Sequence, residues 1–260
     1  MSVNLPDSKP EASFADTILQ QSSEISRRLD MLRIENFPPD AQKKLRRFSL
    51  AEVADFVGVS PSYLKKLHLQ GKGVEPQVTP SGRRHYTAAQ IEELRTLLDR
   101  SPRRRENDKL QVIAVVNFKG GSGKTTTAAH LSQHLALKGF RVLAIDLDPQ
   151  ASLTALFGIQ PEIDGNLSLY ESLRYDENRK PISEVIRSTS FPSLDIAPAN
   201  LELQEYEYET PIAMHAQDSI AGRTFYTRIG GALSERGDRY DVVVIDCPPQ
   251  LGYLTLTAPA

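Results

Sequence analysis

VVNFKGGSGKTT, residues 115–126, joins the end of an apolar β-type run to a glycine-rich turn and a Gly-Lys-Thr. Glycines 120, 121 and 123 let the backbone wrap tightly and turn its N–H groups inward, and a helix starting near Lys124 adds its positive end. Both attract phosphate oxygens. On that pattern Lys124 reaches the β- and γ-phosphates of a nucleotide and Thr125 ligates Mg²⁺. Two features depart from the usual G-x-x-x-x-G-K-[ST] spacing: Phe118 stands where the first glycine belongs, and a second lysine, Lys119, follows it.

Downstream, strand-like and helix-like stretches alternate. QVIAVVNF is a β-rich run, TTTAAHLSQHLALK is helical with Gly139 at its exit, and RVLAIDLD, SLDIAPA and RYDVVVIDCPP supply further strands. Continuous Val/Ile runs predict strands buried on both faces, as in a parallel sheet flanked by helices, an α/β fold. Asp146 and Asp148, at alternate positions of DLDPQ, point to one face of their strand and can both look at the phosphate loop. DVVVID delivers Asp246 to a strand end, the arrangement that holds Mg²⁺ beside a phosphate loop. The acidic LELQEYEYE, residues 201–209, reads as a solvated helix face. The single cysteine, Cys247, excludes an internal disulfide and reads as a small buried side chain, and the five histidines show no metal spacing.

Upstream the character changes. The 260 residues, 40% hydrophobic and 25% charged, allow one large domain plus a small one. The net charge of −2 conceals an asymmetry, because residues 43–105 carry 14 Lys/Arg against 6 Asp/Glu. A basic block in a mildly acidic chain points to contact with a polyanion. Residues 1–12 have the composition of a disordered lead. From Ala12 to Ile34, Phe14, Ile18, Ile25, Leu29 and Leu32 form one apolar helical stripe, which needs a partner on its own chain or on the same helix of a second subunit. FPPD, residues 37–40, ends that helix.

Ser49 and Glu52 make a capping box for a helix burying Val53, Phe56 and Val57; Gly58 breaks it, and Ser60-Pro61 opens a second helix that ends at Gly71. Two short helices about a glycine turn make a helix-turn-helix. EPQVTPSGRRHYT follows as two short strands turning at Ser81-Gly82, and the box Thr87/Gln90 opens a further helix. In such a unit the start of the second helix enters the major groove. Ser60, Ser62, Tyr63, Lys65 and Lys66 are therefore the DNA-binding candidates, with the lysines on phosphates rather than bases. Arg83, Arg84 and His85, at the hairpin turn, would touch backbone or an adjacent minor groove. RSPRRRENDK, residues 100–109, reads as a linker.

The reading xKGGxGKTT resembles the deviant Walker A class of ATPases, the ParA/MinD family. The resemblance implies nucleotide contacts from Lys119 through Thr126, including Gly120, Gly121, Ser122, Gly123, Lys124, Thr125 and Thr126. It also implies ATP and Mg²⁺ as ligands, and a homodimer in which Lys119 crosses to the other subunit's nucleotide. By the same resemblance Asp148 positions the attacking water, and Asp146 supports Mg²⁺ through its water shell alongside the ligands Thr125 and Asp246. The catalytic set is then Lys119, Lys124 and Asp148. GRRHY after the second helix resembles the MerR-like winged modules. A helix, a helix-turn-helix and then the deviant Walker fold resemble the large ParA proteins of plasmid partition, including the RepA type of repABC plasmids.

The implied organisation is an N-terminal lead and dimerisation helix (1–40), a winged helix-turn-helix (41–100), a linker (101–109) and a P-loop ATPase domain (110–260). The family fold continues past the point where this chain stops, so the sheet is expected to be incomplete at the C-terminus. The expected function is a plasmid-partition ATPase that dimerises on Mg-ATP, binds operator DNA and represses its own operon. Its implied partners are a centromere-binding ParB-type protein and, through the further C-terminal part, non-specific DNA, with a cytoplasmic, nucleoid-associated location and no membrane contact. The alternative is a DNA-binding repressor for which nucleotide is only a conformational switch. A MinD-like membrane cycle would need a C-terminal amphipathic helix, and none is visible in the 260 residues.

Overall fold

The computed structural model describes residues 13–36 and 45–258, apart from 103, 106–107, 162–165, 216–223 and 236. The lead at 1–12 and the FPPD stop at 37–40 lie outside the described residues. Residues up to Gln42 form one compact unit and Lys43–Ala260 a second. In the first, α1 spans Phe14–Asn36. Ser13 opens it, its amide donating to Asp16 Oδ2 while the Asp16 amide donates back to the Ser13 hydroxyl. The stripe residues Phe14, Ile18, Ile25 and Leu29 are exposed.

The second unit begins with the helix-turn-helix. β1 is Phe48–Ser49, α2 Leu50–Val57, α3 Pro61–Leu69, β2 Gln77–Val78, β3 Arg84–Tyr86 and α4 Ala88–Leu97. Both expected capping boxes close, at Ser49/Glu52 and Thr87/Gln90, and Gly58 takes the left-handed conformation that ends α2. Val53, Val57, Leu64, Leu67, Tyr86, Ile91 and Leu94 share one core, with Phe56 packed partly buried against it. β1, which no sequence pattern announces, pairs antiparallel with β3 and widens the hairpin to a three-stranded wing.

The remainder is a layered α/β unit. Its elements are β4 (Gln111–Val115), α5 (Lys124–Lys138), β5 (Val142–Asp146), α6 (Ser152–Leu156), α7 (Tyr170–Leu173), α8 (Ile182–Val185), β6 (Arg187–Ser188), β7 (Leu194–Ala197), a 3-10 turn (Leu201–Gln204), α9 (Glu205–His215), α10 (Arg228–Ser234), β8 (Val242–Asp246) and α11 (Tyr253–Thr257). The sheet order is β4-β8-β5-β7-β6, parallel except for β6. Successive strand residues point to opposite faces. Leu143, Ile145, Val243 and Ile245 therefore pack in a core with residues of α7, α10 and α11, while Val142, Ala144, Val242 and Val244 pack under α5 and α6. α5 meets the sheet through Ala128, Ala129 and Ala136, small residues that let the helix lie close.

Two expectations need correction. QVIAVVNF is not buried on both faces: among the described residues β4 pairs only with β8, and Val112 and Ile113 are exposed. An apolar strand reads the same in the middle of a sheet and at its edge. The segment 201–209 is not simply a solvated face either, since Leu203 and Tyr206 are fully buried. Tyr206 stacks on Tyr175 at 5.7 Å between ring centroids. Glu207 Oε2 and Oε1 accept the amides of Tyr253 and Leu254, each at 2.9 Å, which caps the start of α11.

The winged unit is seated on the far end of α5. Arg95, 2% exposed, donates from Nη2 to the carbonyls of Phe56 and Leu137. Lys138 pairs with Asp55 at 2.9 Å, and Glu92 accepts the Ser193 hydroxyl at 2.6 Å. Gly139 is required here twice over: its φ is +100°, and a Cβ would come within 2.5 Å of the Arg95 side chain.

Candidate functional site

Strand pairing brings the three loop ends together. Asp246, the last residue of β8, is in register with Val115 on one side and Asp146 on the other. The chain leaving Val115 makes the phosphate loop, and the chain leaving Asp146 reaches Asp148 two residues on. Asn117 opens the loop by accepting the Lys119 amide at 2.9 Å on its Oδ1. Gly121 (φ +70°) and Gly123 (φ +83°) then hold left-handed conformations that L-residues avoid. A Cβ at Gly120, Gly121 or Gly123 would meet nothing within 4 Å, so the loop backbone faces open space. α5 starts directly behind it with no side-chain cap, leaving its first amides pointing into that space.

Lys124 is buried, Thr125 half-buried, and Lys119, Ser122 and Thr126 are exposed. Among the described residues the Lys119 amine has no hydrogen bond or ion pair and stands on the rim. Asp148 is half-buried, with its Oδ1 accepting the Gln150 amide at 2.9 Å.

The two buried carboxylates differ. Asp146 is saturated: Oδ2 accepts the Thr154 hydroxyl at 2.7 Å and the Thr154 amide at 2.8 Å, and Oδ1 accepts the Asp148 amide at 3.2 Å. Burial still pushes its proton affinity up to about 7 against those bonds. Asp246 is equally buried, yet neither of its oxygens makes a hydrogen bond of good geometry among the described residues, the Thr125 hydroxyl standing near it as a poorly aligned donor. Burial pushes it up to about 6; the Thr125 hydroxyl and the Lys124 ammonium oppose the rise and the Asp148 carboxylate adds to it. An orphaned buried carboxylate beside a threonine and a lysine fits a cation site. No three His, Cys, Asp or Glu among the described residues form a metal cage, so Thr125 and Asp246 would leave the other positions to phosphate oxygens and water.

On the winged unit the expected contacts separate. Lys65, Arg83, Arg84 and His85 line one concave surface of about 450 Å³ between the start of α3 and the wing. Ser62, Tyr63 and Lys66 are exposed on α3 outside that groove, while the Ser60 hydroxyl is spent on the Tyr63 amide as the helix cap. Arg84 Nε is buried without a partner among the described residues. The start of α2 also borders the groove, but its positive end is filled internally. Glu52 accepts from Arg46 and Ser49, which hold its carboxyl at about 2. Among the described residues no helix is long and apolar enough to cross a membrane.

Residues that sequence reasoning missed are Asn117, Thr154, Glu207 and Arg95. Asn117, two residues before a lysine amide in a glycine turn, carries a readable Asx-turn signal; the others act through tertiary contacts.

Comparison with known proteins bears on the family and the fold. The AAA domain family matches residues 110–259 and the MerR HTH family regulatory protein family matches residues 48–98. A replication protein A of Sinorhizobium fredii (strain NBRC 101917 / NGR234) is 62% identical over 269 residues, covering 99% of this chain and 66% of that protein. A ParA family protein of Chlamydia muridarum (strain MoPn / Nigg) is 39% identical over 150 residues, covering 57% of this chain and 54% of its own length. The chain thus spans at most about two thirds of these relatives. The crystal structure of cobyrinic acid a,c-diamide synthase from Mycobacterium smegmatis, with bound ADP and magnesium, superposes with a TM-score of 0.50 at 35% identity, covering 58% of this chain and 56% of that one. With the AAA domain match spanning more than half its length, the chain belongs to the ParA-type family of P-loop proteins and carries a MerR-type helix-turn-helix ahead of the P-loop fold.

Proposed function

We propose that the chain acts as a plasmid-partition ATPase that dimerises on Mg-ATP and binds operator DNA. The carrying observation is Asp246, buried with no well-formed hydrogen bond to either oxygen among the described residues, beside Lys124, Thr125 and a glycine loop that opens onto free space. Lys124 and the loop amides would hold the β- and γ-phosphates, and Thr125 and Asp246 would hold Mg²⁺. When bound, Mg²⁺ neutralises charge on the phosphoryl group being transferred. Asp148, at the mouth of the site, orients the attacking water. Lys119, exposed on the rim, supplies its ammonium to the nucleotide of a second copy, as an arginine finger does in trans. Completion of the site by a second molecule ties hydrolysis to dimerisation.

The helix-turn-helix would place α3 in the major groove of operator DNA, with Lys65, Arg83 and Arg84 on phosphates, and so repress its own operon. A centromere-binding ParB-type protein and non-specific DNA are the further partners, and a cytoplasmic, nucleoid-associated location follows from them. The relative named replication protein A and the ParA family relative support this reading.

The test is nucleotide binding and turnover by the whole chain with Mg²⁺. Lys124→Ala is expected to weaken ATP binding more than about a hundredfold, whereas Asp148→Ala binds ATP and loses turnover. Full affinity in Lys124→Ala refutes the phosphate site. Binding without turnover in the unsubstituted chain leaves nucleotide as a conformational switch only.

A further inference from the structure

Thr154 lies on α6, eight residues beyond Asp146 and outside the phosphate loop, yet it is fully buried at the site. Its hydroxyl has two bonds: it donates to Asp146 Oδ2 at 2.7 Å and accepts the Ala199 amide at 2.9 Å. Its own amide donates to the same Asp146 oxygen at 2.8 Å. Asp146 in turn uses its second oxygen to hold the Asp148 amide at 3.2 Å. A chain of hydrogen bonds thus runs from the residue following Pro198, past the end of β7, through Thr154 and Asp146, to the backbone of Asp148.

We infer that Thr154 is a positioning residue for hydrolysis: it orients Asp146 so that Asp146 fixes the backbone of the water-orienting Asp148. The inference rests on the ATPase reading of the site. The loop it holds has other restraints: Leu147 donates its amide to the Asp246 carbonyl at 2.9 Å and Gln150 donates to Asp148 Oδ1 at 2.9 Å, but neither bond holds the Asp148 amide. Asp148 and Ala151 close a turn through the Ala151 amide and the Asp148 carbonyl at 2.8 Å, and Ala151, not a glycine, sits buried at φ +53°. A non-glycine residue in that region is strained and persists only where its surroundings over-determine it. On the α6 side the turn is held by the Ala155 amide on the Ala151 carbonyl at 3.0 Å and by the Thr154 bonds to Asp146. A rotated Asp146 would release the Asp148 amide, and a displacement of about 1 Å at a reacting group costs roughly a hundredfold. Loss of the hydroxyl alone leaves the Thr154 amide bond in place, so the expected effect is smaller.

Thr154→Val keeps the shape and removes the hydroxyl; Thr154→Ser keeps the hydroxyl. In the whole chain, Val is expected to lower kcat about tenfold or more with KM for ATP within about twofold, and Ser to restore kcat to within about threefold. A second readout needs no turnover. Amide hydrogen exchange at Asp148 and Ala199 should quicken about tenfold in Val and stay near the original rate in Ser. Unchanged kcat in Val overturns the inference, as does a parallel loss of kcat and ATP affinity that Ser does not repair. If the unsubstituted chain binds ATP and does not hydrolyse it, the ATPase reading fails on its own. The exchange data then decide the positioning role: equal protection of the two amides in all three proteins overturns it, and selective loss in Val upholds it.

Discussion

Lys65, Lys66 and Arg83 stand exposed on the winged unit, while Asp146 and Asp246 are fully buried where the parallel sheet ends. These three cations spend nothing on desolvation and stay available to any polyanion. The second region desolvates carboxylates, one of them without a well-formed hydrogen bond among the described residues, and can do so only because a large apolar sheet surrounds them. The contrast separates two kinds of substitution. Changes on the wing should alter binding without altering stability, and changes at the strand ends should alter both.

The largest effect is expected on the wing. Neutralising Lys65, Lys66, Arg83 and Arg84 together should lower DNA affinity by roughly a thousandfold near physiological salt and flatten the logarithmic salt dependence by up to about four units, because each phosphate contact contributes about 0.9. Nucleotide affinity should stay put, and thermal stability should move only through Arg84, whose Nε is buried. A preserved salt slope in a binding titration would break the comparison at its root, since those cations would then not meet phosphate.

Arg95 sits where the winged unit meets the end of α5 away from the phosphate loop, and it behaves as a member of the buried class despite its charge. Its guanidinium serves the carbonyls of Phe56 in α2 and Leu137 at the end of α5. Arg95→Met keeps much of the apolar stem and leaves both carbonyls without this donor, at a cost of about 2–3 kcal/mol. The midpoint of urea unfolding should fall accordingly, and DNA affinity measured well below that midpoint should change little. A midpoint unmoved by Arg95→Met would mean that the seam holds by apolar contact, through Leu137 against the winged core.

Legibility in the sequence follows the same division. The phosphate loop, its helix and the strands ending in Asp146 and Asp246 can be read because each is contiguous and its residue types are set by local chemistry. The capping boxes at Ser49/Glu52 and Thr87/Gln90 are likewise complete within four residues. What could not be read depends on the return of distant chain. Asp146 and Asp246 look alike in DLD and VID; only the folding back of α6, which brings Thr154 to Asp146, makes one saturated and leaves the other orphaned. Tyr206 is masked by the glutamates around it. Arg95 resembles any solvated helical arginine until α5 arrives beside it. The two-residue strands β1 and β6 are too short to carry a period.

The smallest effect sharpens the account of Asp246. Its folded proton affinity is raised to about 6 from an ordinary value of 3.8. A carboxyl raised in this way contributes stability that is fully present below the unfolded value and is lost as pH rises through the folded one. In the metal-free chain, charge on Asp246 at neutral pH is therefore a cost, and Asp246→Asn removes it while keeping the shape. Asn should be more stable than Asp by about 1–3 kcal/mol at pH 7.5, and the gap should shrink to about half a kcal/mol at pH 4. Asp146 is raised in the same direction chiefly by burial and in part by the Asp246 charge, so relief of Asp146 adds to the gap at pH 7.5 with the same sign. Urea unfolding of the pair at the two pH values measures it. A gap of equal size at both would trace the gain to packing rather than to ionisation. A gap that closes at acid pH, together with loss of Mg²⁺-dependent nucleotide affinity in the Asn protein, would show that the carboxylate which costs stability in the metal-free chain is the one that holds the cation.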